Sequence, residues 1–439
     1  MSQPVYDFVA IGVGPFNLGL ACLTSTIDGL KGVFLDKREG FDWHPGMMLE
    51  SATLQTPFLS DLVTLADPTH PLSFLSYIKQ QGRIYSFYIR EDFFLMRKEY
   101  NQYCQWACEQ LDNLRFNTQV NSISYDEDSA LYRVEANSTL DGEEQVYFAK
   151  KLVLGTGTAP FVPECCEDVK EDVIHSSRYL YNKEALQKKS SITVVGSGQS
   201  AAEIYHDLLQ EIDVHGYELN WITRSPRYFP LEYSKLTLEM TSPEYVDYFH
   251  DMSSAKRDEL IRKQKHLYKG INSSLINEIY DLLYVKRLSG AFKSHLLTNS
   301  ELTRVEKNDE QLTLTLHQTE QGKDYQLPTE ALVLSTGYSY QLPDFLSGIA
   351  QRIQWDDHGR FDVNRNYSID KQGQDIFVQN AELHTHGFVT PDLGMACYRN
   401  SYIIRELTGV EHYPIEKQIA FQEFAALESH DSLKEIVSA

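Results

Sequence analysis

Two short stretches carry the residue types that cradle a phosphate. The first, FVAIGVGPFN at Phe8–Asn17, is an apolar run ending in Gly12, Gly14 and Pro15, after which Asn17 opens the helical run NLGLA. The second, SITVVGSGQS at Ser191–Ser200, repeats the pattern with Gly196, Ser197, Gly198, Gln199 and Ser200 before Ala201–Leu209. A strand, a glycine turn and a helix bring bare backbone up to a pyrophosphate and aim the free N–H groups of the helix start at its charge. The first motif has Asn17 where a third glycine is usual, and an ordinary tight strand-to-helix turn has the same composition. The strands that follow end differently. Gly32–Leu35 runs into Asp36, where a carboxylate would hold a ribose hydroxyl; Leu219–Thr223 runs into Arg224, with Arg227 beyond, where a cation suits a 2′-phosphate. One site would hold FAD and the other NADPH, a pairing that means hydride transfer to a flavin.

The remaining chemistry narrows what a reduced flavin could do next. None of the six cysteines stands in a CxxC pair, so there is no dithiol of the kind a disulfide reductase needs, and all six read as reduced thiols. That leaves oxygen or another acceptor. His384 and His386 have no third ligand at a suitable spacing, so no metal site is expected. The long segment Asp42–Asp67 has weak periodicity, and such a stretch after a nucleotide motif is usually functional. It carries His44 and Gln55, polar groups that suit either contact with a flavin ring or a structural hydrogen bond. A net charge of −22 speaks against nucleic acid and anionic membrane as partners and would mildly attract a cationic substrate. No apolar run approaches the roughly 20 residues of a membrane span, and Asp7 interrupts the first apolar stretch, so a cytoplasmic location is expected.

These residues need strands and helices to position them. Leu72–Gln80 and Arg97–Leu111 read as helices; Arg115–Ser122, Leu131–Ala136 and Glu144–Phe148 read as strands. Lys151–Thr158, KLVLGTGT, and Ala331–Tyr338, ALVLSTGY, are parallel cases of a strand running into a glycine turn, the first containing Gly157. Glu301–Leu316 reads as a hairpin, Ile376–Gln379 as a last core strand and Ala396–Leu407 as a closing helix. The expected fold is α/β, with two Rossmann-like dinucleotide domains, the second inserted into the first. Residues 1–165 would start the FAD domain, 166–330 would form the NADPH domain with a helical, substrate-side elaboration near 230–290, and 331–439 would return to the FAD domain.

Taken in order, FVAIGVGPFNLGLA, DWHPGMMLESATLQTPFLSDLV, DPTHPLSFLSYI, VVGSGQSAAE, LSTGY and THGF resemble the siderophore-associated N-hydroxylating flavin monooxygenases over nearly the whole chain. The block from WHPGM to LQTPFLSDLV is far more specific than either glycine motif. The resemblance implies FAD- and NADPH-dependent hydroxylation of the terminal amine of lysine, ornithine or a diamine through a C4a-hydroperoxyflavin. It implies that Asp36, Lys37, Trp43, His44, Gln55 and Val120 contact FAD, with Gln55 close to the reaction. Ser197–Ser200 and Arg224 would contact NADPH, with Gln199 and Ser200 helping to keep NADP+ in place. Pro391, Asp392 and Leu393 would close over the flavin. A dimer or tetramer is expected.

The departures point to the substrate. Where the amino-acid hydroxylases carry a lysine that grips the substrate carboxylate, this chain has Ser60; two asparagines of the amino-acid head correspond to Leu238 and Leu267, and a serine to Gly394. A carboxylate without its cation is costly to bury. The expected substrate is therefore an aliphatic diamine such as putrescine or cadaverine, with O2. Lysine or ornithine hydroxylation, and an NADPH oxidase activity that hydroxylates nothing, are the alternatives.

Overall fold

The computed structural model describes residues 4–290 and 292–426. Strand β1 (Val5–Ile11) leads through the glycine turn into helix α1 (Pro15–Thr24), whose nine buried residues leave it no solvent face. Strand β2 (Gly32–Leu35) lies parallel to β1, with Phe8 opposite Gly32. The Phe8 ring occupies the space a β-carbon at Gly32 would need, which accounts for a glycine at the head of an apolar strand. Helix α2 (Arg97–Glu109) buries Tyr100, Tyr103, Cys104 and Ala107 at helical spacing. Strands β3 (Leu114–Arg115), β4 (Thr118–Asp126), β5 (Leu131–Ser138) and β6 (Glu144–Leu154) complete the first sheet, ordered β3-β2-β1-β6-β5-β4.

The second sheet is parallel throughout. It contains β7 (Ile174–His175), β8 (Ser191–Val195), which feeds helix α3 (Gln199–Gln210), and β9 (Glu218–Ile222). After helix α4 (Ser273–Ser289) comes β10 (Ser294–Leu297). An antiparallel three-stranded sheet of β11 (Ser300–Asn308), β12 (Gln311–Gln318) and β13 (Lys323–Thr329) precedes β14 (Ala331–Leu334). The order β7-β14-β8-β9-β10 puts the glycine turn after β8 at the carboxyl ends of central strands. The chain then returns: β15 (Ile376–Val378) pairs with β6, and α5 (Ala396–Thr408) adds Ile403 and Ile404 to the core that holds Leu18 and Leu20 of α1. Two Rossmann-like sheets, the second built between the halves of the first, are what the motif order predicts.

Three details differ from the sequence reading. Glu144–Phe148 and the start of Lys151–Thr158, as far as Leu154, are one strand, β6, whose first half pairs antiparallel with β5 and whose second half pairs parallel with β1. Exposed Lys150 and half-buried Lys151 at its centre mask this continuity. The expected hairpin after residue 300 has a third strand, β13, disguised by Pro328 and by its half-exposed register. Strand β14 pairs with β8 and β7, so it belongs to the second sheet and not to the return segment in which the boundary at 330 placed it. An apolar four-residue strand does not announce its partner. Among the described residues, no helix is long and apolar enough to cross a membrane.

Candidate active site

The first glycine turn is shaped by what touches it. Gly12 has φ +90, and a β-carbon there would run into the Gly155 carbonyl, so only glycine fits. Asn17, in the place of the usual third glycine, donates from Nδ2 to the Gly12 carbonyl at 2.7 Å and accepts from Gln379 Nε2 at 2.7 Å. It ties the turn to the segment after β15, a purpose the sequence does not reveal. Gly14 caps α1 in extended conformation with no side chain on the free N–H groups, and nothing lies within 4 Å of the position its β-carbon would take. Gly198 caps α3 in the same open, uncapped way, while Gly196 (φ +155) is pressed on the Ser335 carbonyl. Both turns therefore present what a pyrophosphate needs.

Asp36, expected at a ribose, is engaged by protein. Its Oδ2 accepts from Val13 N–H at 2.7 Å and from Arg38 Nη2 at 2.8 Å; its Oδ1 accepts from Arg38 N–H at 2.9 Å and Nε at 3.0 Å. Four protein N–H groups bond the carboxylate, which fastens the turn. Burial pushes its pKa up, but the Arg38 guanidinium outweighs this and holds it below the usual carboxylate value. Arg38 has no motif to mark it. Lys37 points into solvent, Gly157 (φ +72) turns the chain after β6, and Val120 is half-buried against the sheet-face cluster of Val9, Ile11 and Val33.

The WHPGM block joins the two sheets. Trp43 N–H donates to Asn101 of α2 at 2.9 Å, and the Trp43 ring meets Tyr100. His44 takes the left-handed conformation (φ 53), and Gly46 follows because a β-carbon there would collide with the Ser177 carbonyl. His44 packs edge-on against Tyr338 at 5.8 Å, and Tyr338 against His175 at 5.2 Å. Hemmed in by these rings, His44 still keeps an exposed face. Burial and the nearby Arg97 lower its pKa to about 4, so it is neutral at physiological pH. On the neighbouring strand Thr53–Pro57, Gln55 Nε2 and Thr56 Oγ1 are buried without a partner among the described residues. A bound ligand is the ready explanation for such orphaned groups.

Arg97 closes this side. Its guanidinium donates to the Met47 carbonyl at 2.6 Å and to Glu203 of α3 at 2.8 and 3.1 Å. Glu203 also accepts from Gln199 Nε2 at 3.0 Å, and Gln199 Oε1 accepts from Asn272 N–H at 2.8 Å. Both ends of the Gln199 amide are thus engaged by protein, which makes it a strut between α3 and the segment before α4. Ser197 and Ser200 flank it, half-buried.

At the expected substrate end, the structure brings together Ser60, Gly394 and Asp392. Ser60 is buried on a loop fixed by Asp61, whose carboxylate accepts from the N–H groups of Val63, Thr64 and Phe74. A β-carbon on Gly394 would lie 3.3 Å from Ser60 Oγ and 3.2 Å from Asp392 Oδ1. Asp392 accepts from Gly394 N–H at 2.8 Å. Burial pushes its carboxyl up, opposed by that N–H and by Arg399. Arg399 lies wholly buried: it pairs with Glu382, donates to the Thr390 carbonyl at 2.9 Å and stands 4.5 Å over the Phe16 ring. It thereby fixes the turn Pro391–Leu393 against α1. Leu267 packs toward the aromatic cluster of Tyr245, Phe249 and Phe388, and Leu238 sits half-exposed on the short helix Lys235–Leu238, each in surroundings of its own. Arg224 is exposed beyond β9, 3.9 Å from Glu301, and Arg227 stacks at 4.5 Å on Phe229.

Two uncapped, glycine-lined helix starts on separate Rossmann-like sheets, with orphaned polar groups in the cleft beside them, define an oxidoreductase built for two dinucleotides. The chain belongs to the L-lysine 6-monooxygenase/L-ornithine 5-monooxygenase family, whose model matches residues 4–340. A putrescine N-hydroxylase of Shewanella oneidensis is 54% identical over 99% of this chain and 87% of its own length. The FAD-bound crystal structure of DfoA, the cadaverine monooxygenase of the desferrioxamine pathway in Erwinia amylovora, has 64% identity and a TM-score of 0.96, covering 97% of this chain and 100% of that one. The ornithine N-hydroxylase of Kutzneria sp. 744, with reduced FAD, NADP+ and L-ornithine, is 27% identical with a TM-score of 0.85, covering 92% and 99%.

Proposed function

We propose that this enzyme uses FAD and NADPH to hydroxylate one terminal amine of an aliphatic diamine, putrescine or cadaverine, for siderophore synthesis. The observation that carries this reading is the company Ser60 keeps: an acid, Asp392, while the neighbouring cation Arg399 is already taken up by Glu382 and the Thr390 carbonyl and is not left for an amino-acid carboxylate. Putrescine and cadaverine are also the substrates in the names of the relatives above.

FAD fits the first sheet, where the Gly14 turn would take its pyrophosphate and the orphaned amide of Gln55 would meet its ring. NADPH fits the second, at the Gly198 turn, with Arg224 toward the 2′-phosphate. When bound, reduced FAD supplies the activated oxygen that is transferred to the amine. The protein holds and shields. Asp392 would pair with the far ammonium, leaving the near amine, which must lose its proton to react, at the cleft. Neutral His44 adds no positive charge there, and Trp43 and Tyr338, packed against it, would help to shield that side from water. The turn Pro391–Leu393 places the acid. We assign residues 1–165 and the return segment to the FAD unit, and infer association as a dimer or tetramer and a cytoplasmic location. The exposed Tyr85, Tyr88, Ile89 and Phe93 favour association, which sedimentation would measure.

The test is an amine panel scored for hydroxylamine formed against NADPH consumed. Coupled turnover of putrescine or cadaverine, preferred roughly a hundredfold in kcat/KM over ornithine and lysine, is expected from one unpaired buried charge. Equal turnover of lysine and cadaverine would overturn the substrate, and NADPH consumption without hydroxylamine would overturn the reaction.

A further inference from the structure

Arg224 is not alone beyond β9. Residues 229–232 pair with 266–271: Leu231 N–H donates to the Ile271 carbonyl at 2.9 Å, Ile271 N–H to the Phe229 carbonyl at 3.0 Å and Glu232 N–H to the His266 carbonyl at 3.2 Å. Gly270 lies so close to Leu231 that a β-carbon would stand 2.5 Å from its backbone. The Phe229 ring bridges Arg227, at 4.5 Å, and His266, at 4.0 Å. Lys269 N–H donates to the Lys265 carbonyl at 2.7 Å, so the two lysines share one tight turn. At its far end this segment is tied to the nucleotide helix through Asn272 and Gln199.

This folding gathers Arg224, Arg227, Lys265 and Lys269 beside the carboxyl end of β9, in a chain of net charge −22. Partial desolvation of its ammonium lowers the Lys269 pKa although the side chain keeps an exposed face, and Arg224 and Lys265 lower it further. Among the described residues no ion pair involves Arg227, Lys265 or Lys269; the one acid on the cluster's cations is Glu301, 3.9 Å from Arg224. A concentration of like charges costs free energy unless an anion shares it. The end of the second strand of a Rossmann unit is where a 2′-phosphate falls.

We propose that Lys269, supported by Lys265, completes with Arg224 the reader of the NADPH 2′-phosphate, and that Glu301 opposes it by competing for the Arg224 guanidinium. The inference rests on the assignment of NADPH to the second sheet. Lys269 lies more than 40 residues from the motif that ends in Arg224, so spacing alone does not connect them.

The test is calorimetric titration of the FAD-loaded enzyme with 2′,5′-ADP and with 5′-AMP, which differ only in the 2′-phosphate. Native enzyme should bind 2′,5′-ADP more tightly; if it does not, the NADPH assignment itself fails. Lys269→Met should weaken 2′,5′-ADP by roughly three- to tenfold, as for a partly exposed charge contact, and leave 5′-AMP unchanged. Glu301→Gln should tighten 2′,5′-ADP by about two- to threefold by releasing Arg224. Lys269 is exposed, so the variant should keep native FAD content and Tm, and both are measured alongside. Equal weakening of the two ligands by Lys269→Met, or none, would overturn the role of Lys269 while leaving the NADPH assignment intact.

Discussion

Asp392 concentrates the chemistry of the site in one carboxyl. Its pKa is raised, so in the folded enzyme it gives up its proton less readily than in the unfolded chain. The sign follows from linkage: its contribution favours the fold at low pH and turns against it as pH rises above the unfolded carboxyl value. Asp392→Asn keeps an oxygen for Gly394 N–H and removes the buried charge. It should therefore raise Tm slightly at neutral pH while raising the KM for diamine by roughly 10- to 100-fold, the value of a charged hydrogen bond. In the native enzyme, KM for diamine should rise as pH falls through the raised Asp392 pKa. A variant that loses stability and keeps its KM would make Asp392 a structural residue. Ser60→Lys should place a cation beside Asp392 and the substrate ammonium, and depress diamine turnover. Ser60 was legible as a departure from a motif. The acid beside it was legible only as part of a closing turn, because 332 positions separate Ser60 and Asp392 along the chain and only the fold joins them.

Between elements, the decisive contact is Arg97 of α2 with Glu203 of α3, which clamps the first sheet's loop to the second sheet's nucleotide helix. Both residues are mostly buried, so removing one strands the other's charge. Arg97→Met should cost about 3 kcal/mol of stability, and Glu203→Gln added to it should recover part of that loss. Chemical denaturation of the four proteins in the cycle would show a coupling above roughly 1 kcal/mol if the pair acts as a unit, and near-additive losses if it does not. The turns separate by cofactor. Gly12→Ala drives a β-carbon into the Gly155 carbonyl at φ +90 and should abolish FAD retention, read from the visible absorbance of the purified protein. Helices and glycine turns were visible in the sequence because periodicity and backbone demand are local. The clamp was not, since Arg97 and Glu203 look like surface charges on amphipathic helices until the sheets are placed side by side. The same holds for the brace that Arg38 forms on Asp36, which no motif marks.

At the scale of the molecule, the order of two glycine motifs and a return segment was enough to expect one dinucleotide unit built into another. The ownership of β14 and the continuity of β6 depend on pairing, which no local pattern encodes. Charge is the one whole-chain property that sequence states outright. A net charge of −22 surrounds a site proposed to take a dication, while the cluster at Arg224 and Lys269 awaits an anion. Long-range attraction acts on encounter and is screened by salt, and the Debye length falls from roughly 20 Å to roughly 6 Å between about 20 mM and 300 mM salt. With NADPH saturating, kcat/KM for putrescine or cadaverine should fall several-fold over that range while kcat stays nearly constant, because screening slows arrival and leaves the bound geometry alone. A singly charged alkylamine, tested as a competitive inhibitor, should lose affinity less steeply, since its charge couples half as strongly to the same field. Salt-independent kcat/KM for the diamine would show that the acidic surface plays no part in gathering substrate, and would leave Asp392 to act only at close range.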